Sequence, residues 1–515
     1  MRAWPLLLAL PVLMGVAPAA VAQTGDVRFG NLHSHTSYSD GSGTPAEAYV
    51  AACAVPNIDF FAITEHNHDK GDGKGDRHDG ILIFNQPNLY RGSTEALVET
   101  ADRLDAPGRC VTLFGQEFST ISSGNHVNVF DVDQIIDAPN GRFDALLNWV
   151  SSHHDFGGAP PLLQFNHPGT GSKAVKDYGR DDFGGDEKGW VQAMAPHVSL
   201  IEVFNAPALR DGVHQRTENR SSLYLRYLNL GFHLAPSVGQ DNHYRNWGNS
   251  TDARVAVITP SFTRRGIIDA LRARHAYATE DSNLRVVFRS GGALQGDIAA
   301  PPAIGAELPL TVEIADDDEP NAAYRIDVFK DVAGGPPASR PVESFEVTGN
   351  QGQPLALEGV RFEQAGDYVL LRITQLGEED DEHLIDDQLW TAPIWFEPPG
   401  LHAPQELPRM RIVSLVPDPL GDDFAAEQIT LRNVGSQSAT IVGWQVRDIA
   451  GNTWILDGLG EFAAGQTKTI VRNGQAMSLN NGGDEIELVA PDGSVAQSVT
   501  YGKVASGGVI EVDGN

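Results

Sequence analysis

The sequence predicts an α/β fold followed by β-sandwich domains, and three observations carry that expectation. From Val27 to about Arg289, short apolar runs (from Asp59 to Thr64, Val111 to Gly115, Leu162 to Phe165 and Ser199 to Phe204) alternate with helical stretches, the rhythm of repeated strand and helix. After residue 290, β-branched alternation with Gly and Pro turns takes over, as from Leu308 to Ile314, Tyr324 to Phe329 and Asp367 to Gln375. A Pro-rich run from Glu397 to Pro404 then separates a last strand-like segment, with Gln428 to Asn433, Thr440 to Asp448 and Glu485 to Ala490. An α/β layer or barrel is expected over 27–290, a small β-sandwich over 291–397, a linker over 398–408 and a final β domain over 409–515. At 515 residues the chain exceeds one hydrophobic core, which agrees with several domains.

Within the first domain, Thr44 as N-cap and Pro45 behind it predict a helix to Ala54. Further helices are expected from Gly92 to Leu104, Phe143 to His153, Glu218 to Leu230 and Thr263 to Arg274.

Residues 1–22 carry Arg2, an apolar run from Leu6 to Val16 and a terminal Ala20-Val21-Ala22, the pattern of a secretory signal with Gln23 as the mature N-terminus. Pro5, Pro11 and Pro18 interrupt the run, and it falls short of the ~20 residues that a span needs. A periplasmic or secreted protein without a membrane span is expected. Loss of Arg2 moves the net charge from −31 to −32. A surface this acidic excludes general nucleic-acid binding, although bound cations can reverse the sign locally. The two cysteines, Cys53 and Cys110, fit either a disulfide or two small buried apolar residues.

Fourteen of the sixteen histidines lie between His33 and His275, so the chemistry is expected in the first domain. A strand-like stretch from Val27 to Leu32 leads into His33-Ser34-His35, whose two imidazoles share one strand face, with Asp40 on the following loop. Polar clusters recur where apolar runs end: Glu65-His66-Asn67, Gln116-Glu117, Asn166-His167 and Asp241-Asn242-His243, with Asn125-His126 ahead of another run. Imidazole with hard carboxylate oxygens is the donor set of Zn, Mn or Fe, and strand ends are where ligand sites gather in parallel α/β sheets. Metal binding is therefore expected. No Gly-x-Ser-x-Gly elbow or nucleophilic cysteine context appears, so the expected nucleophile is a metal-bound hydroxide. Lys173, Lys176, Arg180, Arg210 and Arg245 are candidate anion clamps, and Arg245, two residues past His243, is preferred.

The successive strings HSHTSYSDG, ITEHN, GQEF, FNHPG and GQDNH resemble the motifs of the polymerase and histidinol phosphatase family, the PHP metallohydrolases, over residues 27–285. That resemblance implies a distorted (β/α)7 barrel holding two or three divalent ions (Zn, Mn or Fe). It implies that His33, His35, Glu117 and Asp241 hold one ion, with Glu117 bridging to a second on His126 and His167. Asp40, His66 and His243 would hold a third. His153 and His154 are rivals for the place given to His126. The chain departs from the family pattern at Glu65, where many members carry Asp, and in a Gly- and charge-rich insert from His68 to Gly92. The catalytic residues implied are Glu117, Asp241 and Arg245, and the substrate is a phosphoester. The stretch from Ile268 to Thr279 resembles the CehA/McbA branch, which implies carboxyl or carbamate ester or amide cleavage as an alternative. A non-catalytic metal-holding adhesin is the alternative of another class.

The last domain resembles the bacterial lamin-tail immunoglobulin-like domain through Glu427-x-Ile429-x-Leu431-x-Asn433-x-Gly435, Gly443-Trp444, Asp448 and Asn480-Asn481-Gly482-Gly483-Asp484. This resemblance implies contact with a cell surface or extracellular polymer rather than catalysis.

Overall fold

The computed structural model describes residues 25–67, 82–118, 125–139, 141–169, 178–183, 187–206, 217–335, 340–349, 351–377, 386–398, 410–421, 423–434, 439–441, 444–448, 451–463, 465–489 and 495–512. The signal of residues 1–22, most of the insert after His68, and the linker beyond Pro398 lie outside the described residues.

The first ten strands are β1 (Asp26–Asn31), β2 (Phe60–Asn67), β3 (Val111–Phe118), β4 (Val127–Phe130), β5 (Leu162–Phe165), β6 (Val198–Asn205), β7 (Glu218–Asn219), β8 (Ala235–Gly239), β9 (Arg254–Thr259) and β10 (Ala276–Thr279). β1, β2 and β3 pair in parallel, and every residue of β2 and β3 is buried, as expected of strands covered on both faces. β4 then runs antiparallel to both β3 and β5, whereas β5, β6 and β8 pair in parallel. On the other flank, β9 is antiparallel to β1 and to β10.

The expected (β/α)7 barrel is corrected by this topology. Strands hold 39% of the described residues and helices 17%, and the first ten strands belong to a 16-stranded mixed sheet in place of a ring of strand–helix repeats. Two causes are visible. A short, fully buried apolar run has the same composition whichever way its strand points, so the reversals at β4 and β9 leave no mark on periodicity. Several helical stretches also shorten, the expected helix from Gly92 to Leu104 to Leu97–Leu104 and that from Glu218 to Leu230 to Ser221–Asn229 behind β7. The helix after Thr44 forms as its residues dictate. α1 (Pro45–Ala52) starts at a capping box in which the Thr44 hydroxyl accepts from the Glu47 N–H and the Glu47 carboxylate accepts from the Thr44 N–H.

The sheet continues across residue 290. β10 pairs with Gln388–Thr391, which pairs with Asp367–Leu376, and that strand pairs with Ala323–Val332. A four-stranded sheet built on Arg285–Ser290 and Leu310–Ala315 packs with this extension over Val286, Phe288, Val312, Ile326 and Leu371, in a core that also takes in Phe29 and Tyr277 of the first domain. Residues 410–512 have a core of their own, including Ile412, Leu431, Trp444, Trp454 and Leu488, between two four-stranded sheets. Among the described residues, no helix is long and apolar enough to cross a membrane.

Asp281, Asp316 and Glu319 cluster beside the strands Arg285–Ser290 and Leu310–Ala315, and both aspartates accept hydrogen bonds. Asp281 Oδ1 accepts from the Asn283 and Leu284 N–H groups at 2.6 and 2.8 Å, and Asp316 Oδ2 accepts from the Tyr324 hydroxyl at 2.8 Å. Burial, reinforced by the Asp316 and Asp387 charges, pushes the Asp281 carboxyl up to about 6 against the two N–H donors. A carboxyl raised on folding loses stability as pH climbs from its unfolded value near 4 through 6, and the whole cost is present above that. Asp281→Asn keeps the accepting oxygen and removes the charge. We expect it to gain about 1–3 kcal/mol at pH 8 and nothing at pH 4, read from urea unfolding at the two pH values.

Candidate metal centre

Nine side chains meet at one edge of the sheet. His33 and His35 follow β1, His66 and Glu117 lie near the ends of β2 and β3, His167 follows β5, and Asp241 and His243 follow β8. His126 reaches the same edge by preceding the antiparallel β4. The segments after β1 and β8 are tied together by an isolated bridge, Ser34 to Asn242, and by His35 N–H to Asn242 O and Asp241 N–H to His33 O, each 2.9 Å. His167 (φ +29°) and Asp241 (φ +44°) hold left-handed backbone that non-glycine residues rarely adopt, a kind of strain that clusters at functional sites.

Glu117, fully buried, is the centre. One oxygen lies 3.1 Å from His33 Nε2, 3.1 Å from His126 Nδ1 and 3.2 Å from His167 Nε2, and the other lies 2.8 Å from His66 Nδ1 and 3.5 Å from His35 Nε2. Asp241 Oδ1 is 3.2 Å from His35 Nε2 and 3.4 Å from His33 Nε2, and Asp40 Oδ1 is 3.1 Å from His243 Nε2 and 3.5 Å from His66 Nε2. Donor atoms gather into four overlapping groups: His35, Asp40, His66 and His243; His33, His35 and Glu117; His33, His167 and Asp241; and His66, Glu117 and His126. This division departs from the one the resemblance implied. His66 stands with His126 as well as with Asp40, and His167 stands with His33 and Asp241.

The electrostatics fit a cation. Burial lowers His35 to about 3, helped by the charges of His243 and His66. Burial opposes but does not prevent the rise of His66 to about 9, driven by Asp40 and Glu117, or of His243 to about 10, driven by Asp40 and Asp241. Glu117 is held well below the usual carboxylate range, burial being outweighed by His33, His126 and His66, and Asp40 and Asp241 are lowered as well. In the metal-free protein, protons on histidines therefore balance ionised carboxylates, and a divalent ion would displace those protons. His33 Nε2 and His35 Nε2 face each other at 3.2 Å, His126 Nε2 is buried with no hydrogen bond among the described residues, and Glu117 Oε2 and Asp40 Oδ1 have histidine nitrogens beside them at 2.8 and 3.1 Å. These are atoms a cation between them would satisfy, and the set suits Zn, Mn or Fe.

Around the donors lies a polar shell, of which sequence reasoning missed Glu202. Glu65 accepts from the Thr36 and Ser39 hydroxyls and the Thr36 N–H, bracing the loop that carries Asp40. Asn166 Nδ2 donates to Glu117 at 2.8 Å. Glu202 of β6 accepts from His33 Nδ1 at 2.7 Å. Its signal was an acid inside the otherwise apolar Leu200-Ile201-Glu202-Val203-Phe204. Gly239 leaves room for it, since a Cβ there would lie 1.9 Å from Glu202 Oε1. Gly239→Ala should cost about 1–3 kcal/mol in urea unfolding by overpacking.

Other candidates are placed elsewhere. Arg245, preferred as an anion clamp, is 55% exposed and donates to Glu47 Oε1 at 2.9 Å on α1. Arg180 pairs with Glu187, and Lys173, Lys176 and Arg210 lie outside the described residues. His153, the rival of His126, stacks on Trp149 at 3.9 Å and donates to its carbonyl, and His154 is exposed. Cys53 and Cys110 are joined in a disulfide.

No curated protein matches the chain. The model of one family, the Lamin Tail Domain, matches residues 404–503, so the two-sheet sandwich that ends the chain is a lamin tail domain.

Proposed function

We propose that the chain is an exported, metal-dependent hydrolase acting on phosphoesters. The observation that carries this reading is the convergence of eight histidine and aspartate side chains around the buried Glu117. The motif resemblance of residues 27–285 to PHP metallohydrolases supports hydrolysis as the chemistry. A divalent ion held by these donors supplies a Lewis acid and a water of lowered pKa. Glu117 and its five histidine neighbours form the floor, while Asp40, Asp241 and His243, with side chains 36%, 19% and 26% exposed, form the rim over which substrate arrives. His33 presents Nε2 to the floor because its Nδ1 proton is given to Glu202. The lamin tail domain is proposed to contact a cell surface or extracellular polymer.

Carboxyl or carbamate ester hydrolysis remains the second reading. Two observations favour it: the resemblance of Ile268 to Thr279 to the CehA/McbA branch, and the commitment of Arg180 and Arg245 to Glu187 and Glu47, away from an anion on the cluster. Assays of the full chain with nitrophenyl phosphate, bis-nitrophenyl phosphate and nitrophenyl acetate, beside His167→Ala, separate the two. Phosphoester turnover lost in the variant supports the first reading. Turnover of the acetate alone replaces it with the second.

A further inference from the structure

Glu202 is a fully buried carboxylate that receives four hydrogen bonds. His33 Nδ1 and Gln164 Nε2 donate to Oε1 at 2.7 and 3.3 Å, and the His167 N–H and Asn205 Nδ2 donate to Oε2 at 2.6 and 2.9 Å. Burying a carboxylate costs several kcal/mol unless it is well paired, so the placement asks for a reason. A carboxylate oxygen at this distance accepts from Nδ1, so a His33 that yields its Nε2 proton to a cation would present the Nε2 lone pair toward Glu117, Asp241 and His35. The second oxygen holds the backbone of His167 at its unusual φ of +29°. One side chain of β6 thus orients two donors that enter the site from two other strands, and both belong to the group completed by Asp241.

We propose that Glu202 is a positioning residue for the cation in the group of His33, His167 and Asp241, an inference that rests on the metal-dependent reading above. Glu202→Gln conserves shape, but only one of its two terminal atoms accepts. Either His33 loses the partner that sets its tautomer, or His167 loses the one that holds its backbone.

The test is a titration of the metal-free full chain and of Glu202→Gln with Zn2+ against a chromophoric chelator. Loss of such an outer partner weakens metal affinity by about 10–100-fold, and that loss is expected for one of the bound ions with the others unchanged. Equal affinity in the two proteins overturns the positioning role while leaving the metal-dependent reading intact. A wild-type protein that takes up no Zn2+ overturns both. If Glu202→Gln does not fold, histidine-15N spectra of the Zn2+-loaded wild type decide, with His33→Asn for assignment. A His33 protonated on Nδ1 supports the proposal, and one protonated on Nε2 overturns it.

Discussion

Glu117→Ala is expected to lose bound metal and to lower kcat/KM by about 10³-fold or more. Among the described residues Glu117 is the one carboxylate within 3.5 Å of five histidines, and it belongs to two of the four donor groups, so no described neighbour can replace it. Charge stabilisation by a hydrolytic metal amounts to several kcal/mol, and each 1.36 kcal/mol is tenfold in rate. The variant also reports on stability. Because the Glu117 carboxyl is lowered on folding, its charge stabilises the metal-free protein above the unfolded value near 4.5, and that contribution is lost as pH falls through the folded value. Chelator-treated Glu117→Ala should therefore unfold more easily than wild type at pH 7, with the gap narrowing in acid. Elemental analysis, steady-state kinetics and urea unfolding check the three parts. A variant that keeps its full metal content would show that the cluster is held by other donors.

Cys53→Ala/Cys110→Ala is expected to destabilise the protein by about 2–4 kcal/mol. The bridge joins the C-cap of α1 to the residue before β3, closing a separation of 57 residues that contains the whole of β2. A loop of that length removes about 4 kcal/mol of unfolded-chain entropy on the chain-entropy account. The Cα atoms are 5.8 Å apart, within the normal range for a bridge. His66 lies in β2 inside the loop and Glu117 lies seven residues past Cys110, so the bridge also steadies two of the candidate donors. Urea unfolding with and without reductant measures the effect. Indistinguishable midpoints would show that the bridge contributes nothing to stability.

The donors were legible because chemistry forces them into a narrow pattern: most are histidines or carboxylates at the end of an apolar run, with His126 ahead of one and Asp40 on a loop, and the apolar run says where the chain is buried. The supporting shell was less legible. Asn166 and Glu202 act through contacts made across 49 and 38 residues, to Glu117 and Gln164, that no local spacing announces. Arg245, two residues past His243, is exposed and paired with Glu47 on α1. The architecture failed for a related reason. Val127 to Phe130 reads as a buried strand either way, and only its pairing reveals that it runs antiparallel to β3 and β5. The join between β10 and Gln388–Thr391 spans more than a hundred residues, so a boundary near 290 read from composition conceals a continuous sheet. The tail domain was the easiest part to read, since its strands alternate inward and outward, as in Gln428–Asn433.

The central claim is that this cluster holds divalent metal. The most direct measurement is elemental analysis of the full chain purified without chelator. About two to three zinc, manganese or iron ions per chain are expected, as the overlapping donor groups allow. A protein that is catalytically active yet free of these metals, and that takes none up on dialysis against them, would contradict the claim.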